Sequence, residues 1–186
     1  MIRSLVARAG CAAGLVLALA LPARAADPLP RFTEEREAAA LHFVRKHCPD
    51  FVPLLDDLKK ANRGAYELQV RQTFQVTELL ADLQDDPKRH ELELKIWVAE
   101  NKALVAVAKF VAGKDEERKA AEEQLHALAK ELVALEVQTL EHRVEVLGAE
   151  LTSAKDELAK FRENLDRATK DRFEALLDRA KKKKKP

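Results

Sequence analysis

The chain is short of the residues that break helices or staple loops. Its 186 residues include five glycines, two cysteines, one tryptophan, one tyrosine and a single methionine, the initiator Met1. No proline stands between Pro87 and Pro186. Strand-like alternation is nowhere signalled, so the composition points to an all-α, heptad-rich fold. Cys48 is the one cysteine outside the first 25 residues. An exported chain with one cysteine has no internal disulfide, and its fold must stand on packing. Nucleophile-elbow, phosphate-cradling, His-Glu-x-x-His and paired-cysteine motifs are all missing. With so few loops there is little place to build a catalytic pocket, and the chain reads as a non-enzyme.

Residues 1–25 read as a secretory signal peptide. Arg3 and Arg8 make the positive start, Ala9 to Leu21 is the apolar run, and Ala23-Arg24-Ala25 is a small-x-small cleavage site. Cleavage near Ala25 implies a periplasmic or secreted protein. The alternative is an uncleaved anchor, although the run is short for a membrane span. Removing residues 1–25 takes three of the 33 basic residues and none of the 32 acidic ones, leaving a near-neutral body at −2.

What is present is organised around residues 114–180. Apolar residues fall at Val133, Val137, Leu140, Val144, Leu147, Leu151, Ala154, Leu158, Phe161, Leu165 and Ala168. The spacing alternates between four and three residues, a coiled-coil repeat. It predicts one helix over about 115–179, capped by Asp115 and acidic in its first turn. A second stripe, Ala121, Leu125, Leu128, Leu132 and Leu135, lies on a different face, so the helix drifts across one partner or touches two.

The rest of the chain predicts a flexible leader over 26–32 and helices over about 33–47, 49–61, 63–84 and 87–112. Thr33 caps the first helix, with Ala39, Leu41 and Phe43 inward. Pro49 and Pro53 fit only a first turn, and Asn62–Gly64 breaks the chain. Asp86-Pro87 opens the fourth helix, whose stripe is Leu92, Ile96, Ala99, Ala103, Ala106 and Phe110. Gly113 is expected as the left-handed residue that stops it. Equal lengths of chain on either side of Gly113 suggest an elongated antiparallel helical hairpin, with helices two to four ranged along the long one. Ile96 would then lie near 130–133, Leu80 near Leu147 and Leu68 near Leu158. The rival is a shorter hairpin of helix four with 115–140, leaving a bare distal seam that dimerises.

Several side chains are candidates for chemistry. His42, His47 and Cys48 are the densest cluster of soft ligands, although His42 and His47 point apart on one helix. Cys48 reads as a half-buried junction thiol, an intermolecular disulfide or part of a metal site. Glu123 and His126 have the i,i+3 spacing of carboxylate-bridged metal sites, without the second Glu-x-x-His that such sites use. His90 has Asp86 one turn before it, a local pairing. Lys181, Lys182, Lys183, Lys184 and Lys185 form a lysine tail, expected to be disordered over 181–186 and able to contact an anionic envelope surface. Nucleic acid is not an expected partner.

Taken together, a signal peptide, a disulfide-free mature body and a kinked helical hairpin resemble the periplasmic Spy/CpxP-type chaperones and the related CnrX-type metal sensors, over roughly residues 33–177. The Leu-Thr-x-x-Gln repeat of those chaperones is missing, Leu151-Thr152-Ser153-Ala154 being the nearest stretch. No functional residue is therefore carried over. The resemblance implies a helical binding protein of the periplasm. The expectation is a scaffold, adaptor or chaperone-like module that meets a protein partner or a second copy through its seam. A metal sensor or carrier is the second expectation, with no other cofactor, and a signal-anchored structural spacer the third.

Overall fold

The computed structural model describes residues 29–183, and residues 1–25, expected to be a signal peptide, lie outside them. The chain is all-α. Helices α1 (Glu34–His47), α2 (Val52–Ala61), α3 (Arg63–Asp82), α4 (Pro87–Ala112), α5 (Asp115–Glu163) and α6 (Leu165–Lys183) follow in order, with a 3₁₀ turn at Pro49–Phe51. Local chemistry explains the boundaries. Thr33 Oγ1 accepts from the Arg36 amide at 3.3 Å, Asn62 Oδ1 from Ala65 at 3.0 Å and Asp86 Oδ1 from Arg89 at 3.0 Å. Each satisfies an amide that the first helical turn leaves without a partner. Pro49 opens the 3₁₀ turn and Pro53 sits in the first turn of α2, where a missing amide costs nothing.

Two cores share α4. The first joins α1, α2 and α3 into a head around Val44, Cys48, Phe51, Leu55, Tyr66 and Val70, and Trp97 of α4 plugs into it. Phe43 of α1 meets Trp97 with ring centroids 4.7 Å apart. On α1 the buried pair is Ala40 and Val44, while Ala39 is exposed, so the inward face is rotated by one residue from expectation. A polar clamp closes the head: Tyr66 Oη donates to Glu37 Oε1 at 2.5 Å, and Lys59 Nζ reaches the same oxygen at 2.6 Å. The described part of the leader is strapped down. Arg71 donates to the carbonyls of Pro30 at 2.6 Å and Leu29 at 3.0 Å, and Phe32 packs on the head.

The second core is the α4–α5 hairpin. Leu92, Ala99, Ala103 and Ala106 face Leu128 and Leu135, flanked by Ile96, Leu125 and Leu132. The alanines let the two backbones come close, since side-chain size sets interhelical distance. Ile96 and Leu132 flank this core together, as the hairpin register expects. Phe110, the last residue of the expected stripe, is exposed.

The longer hairpin is overturned. Only α4 runs along α5, whereas α3 packs on α1 and α2 and touches α4 lightly. Leu80 is buried, but Leu68, Leu147 and Leu158 are all exposed, so neither distal pairing forms. The apolar faces of α1, α2 and α3 satisfy one another and Trp97, so none of these helices lies along the distal half of α5. The arrangement is the shorter hairpin with a bare distal seam.

Three local expectations also change. Gly113 is extended, at φ −75° and ψ 162°, not left-handed. The residue preceding α5 is Lys114, whose amide donates to Glu117 Oε2 at 3.0 Å. The long helix is interrupted at Asn164, whose side-chain amide donates to the Lys160 carbonyl at 2.9 Å, a local bond that competes with the helical ladder. Beyond it α6 continues through Lys183.

Candidate functional site

Helix α5 carries two apolar faces and buries one. Ala121, Leu128 and Leu135 are covered by α4. Val133, Val137, Leu140, Val144, Leu147, Leu151, Leu158, Phe161 and Leu165 are each between 49% and 69% exposed. At about 100° per residue, this seam sits roughly 120° around the helix from the face that meets α4. The uncovered stripe therefore does not compete with α4 for space. Phe173, Leu176 and Leu177 of α6 extend the exposed apolar surface. Beyond the break at Asn164, Phe173 and Leu176 lie one residue out of phase with the repeat and Leu177 two.

The covered part of α5 ends at a polar clasp. His142 Nε2 lies 3.0 and 2.8 Å from the two carboxylate oxygens of Asp86, the residue that caps α4. Lys88 Nζ donates to Glu145 Oε2 at 3.1 Å beside it. The hydrogen bond from His142, then that from the Arg89 amide, holds the Asp86 carboxyl below its usual range. Lys88 does the same for Glu145. His90 contributes only its backbone amide, bonded to the Asp86 carbonyl at 2.9 Å, so the expected local pairing of side chains is replaced by one across the hairpin. The signal for it was present in the register, which places Leu140, two residues from His142, opposite Asp86.

The candidate metal ligands are dispersed. His42 is exposed. His47 is half-buried with its ring against Phe43 at 4.6 Å, and burial lowers its pKa. Cys48 is not half-buried but 1% exposed, inside the head core, and burial pushes its thiol up. A buried thiol held protonated is a poor ligand and a poor disulfide partner. Glu123 and His126 are exposed on α5 and line a shallow open depression with Lys119, Glu122 and Leu125. Among the described residues no group of three or more His, Cys, Asp or Glu side chains is placed to hold a metal ion.

Of the lysine tail, Lys181, Lys182 and Lys183 are helical, not disordered, and Lys181 is exposed. Lys184 and Lys185 lie outside the described residues. Among the described residues no helix is long and apolar enough to cross a membrane. No known protein family, curated protein or solved structure matches the chain.

Proposed function

We propose that the chain is an exported, non-catalytic binding module of the cell envelope, a scaffold, adaptor or chaperone-like protein, with the distal seam of α5 as its binding surface. The observation that carries this reading is the row of large apolar side chains from Val133 to Leu165 that no element among the described residues covers. Contiguous exposed apolar surface on this scale marks interaction sites in soluble proteins. The arginines, apolar run and small-x-small site of residues 1–25 support export. The lysines from Lys181 onward supply a second, electrostatic contact to anionic envelope polymers or headgroups.

The test is site-specific photocross-linking from Leu147 and Leu151 in intact cells, with the mature N-terminus read by mass spectrometry. The expected result is an N-terminus near Ala26 and adducts from both seam positions, with none from Glu131, an exposed residue on the opposite side of α5. Equal labelling from all three positions, or none at all, would overturn the seam as the binding surface.

A further inference from the structure

An uncovered heptad seam asks for a helix, and its own residues say which. We infer that the occupant is a second copy of this chain, lying parallel and in register with the first over residues 137–165, an inference that rests on the seam being the binding surface. In the repeat, Val137, Val144, Leu151 and Leu158 take the first core position, and Leu140, Leu147, Ala154 and Phe161 take the second. β-Branched residues at the first position with leucine at the second favour two parallel strands, and Val137/Leu140 and Val144/Leu147 follow that rule.

The flanking charges agree. In a parallel pair, the residue before a first-position side chain meets the residue after a second-position side chain one heptad on in the partner. Glu150 of one copy then meets Lys155 of the other, and Glu157 meets Arg162. The two-fold axis repeats each pair. Glu136 and Glu141 form the one like-charged pair, at the edge of the seam next to the α4 contact. Turning the second copy around and matching Arg143 to Glu150 instead sets Glu136 against Glu157 within the seam. The geometry leaves room for the parallel pair. With the seam about 120° from the α4-facing side, a two-fold axis along the paired helices puts the two heads on opposite flanks.

The experiment uses the full exported chain, measured by light scattering, together with the variant Ala154→Cys under mild oxidation. The expected mass is twice that of one chain. Ala154→Cys should give a covalent dimer, because only a parallel, in-register pair stacks residue 154 on itself. The double variant Leu147→Asp/Leu151→Asp should be monomeric and keep the cooperative melt of its head and hairpin. A monomeric wild-type chain, or a dimer in which Ala154→Cys does not cross-link, overturns the inference. If photocross-links from Leu147 and Leu151 then go to a different envelope protein, the binding-surface reading stands and only the second copy is removed. If no adduct forms, both fall.

Discussion

Gly113 is held to glycine by space, not by backbone angle. A Cβ placed there would stand 2.6 Å from the Lys109 carbonyl oxygen and 2.9 Å from Glu117 Cβ. The carbonyl is backbone and cannot move away without unwinding the end of α4. Gly113→Ala should therefore destabilise the hairpin and be read as a lowered Tm, while Gly148→Ala, where an added Cβ meets nothing within 4 Å, should raise helicity slightly. At the far end of the same hairpin, Asp86 is held as a carboxylate by His142 and the Arg89 amide. A carboxyl whose pKa is lowered in the folded state contributes stability above its unfolded value of about 3.9, and that contribution fades as pH falls through the folded value. Glu37, lowered first by Lys59 and then by Tyr66, adds the same dependence in the head. In thermal melts the contribution of these two carboxylates should be flat from neutral pH to about 5 and fall below about 4, while His47, whose pKa burial lowers, takes stability away as pH falls below its unfolded value of about 6.5. Asp86→Asn should melt lower at neutral pH and lose part of that slope. A slope unchanged in Asp86→Asn would remove the clasp from the account. Residues that act on their sequence neighbours were legible: Thr33, Asn62, Asp86, Pro49 and Pro53 all do what their local chemistry requires. Trp97 was not, because it lies on the face of α4 away from the apolar stripe and finds its partners in α1, far off in sequence.

Among the elements, α5 shows why a repeat identifies a face but not its partner. The longer and more regular stripe, from Val133 onward, is the one left bare, and the shorter stripe of Ala121, Leu128 and Leu135 is the one α4 covers. Periodicity reports how many side chains want burial. It is silent on which of two faces the chain itself can reach, and that is set by the length of α4, at 26 residues against 49 for α5. Leu128→Asp buries a charge with no partner in the hairpin core and should abolish the cooperative melt. Leu147→Asp should leave the melt of hairpin and head in place and act instead on whatever the seam binds. Equal effects on the melt would mean that the two faces are not distinct. An uncovered helix in water is marginal, because most helical stability in proteins comes from packing. Helicity of the distal half should accordingly rise with protein concentration if the seam pairs, and stay constant if it does not. The break at Asn164 escaped the sequence because the apolar repeat runs through it unbroken, from Leu158 and Phe161 to Leu165 and Ala168, and a single asparagine carries no periodic signal.

For the whole molecule, the all-α class, the helix order and the α4–α5 register followed from composition, caps and spacing. The grouping of α1, α2 and α3 into a separate head did not, since equal chain lengths around Gly113 are compatible with either topology. Packing between the first three helices decides it. Small-angle scattering of residues 26–186 should show a maximum dimension of about 100 Å, set by α5 and α6 together. A compact profile would mean that the distal helix folds back on the head. The one-sided extension of α5 has a mechanical consequence. Residues 143–183 run on past the clasp with no described element beside them. At about 1.5 Å per residue they carry the lysines roughly 60 Å from the nearest point of the hairpin. A surface gripped by that basic tip would meet the tip alone, and the head would stand clear of it at a fixed height, like a weight on a mast.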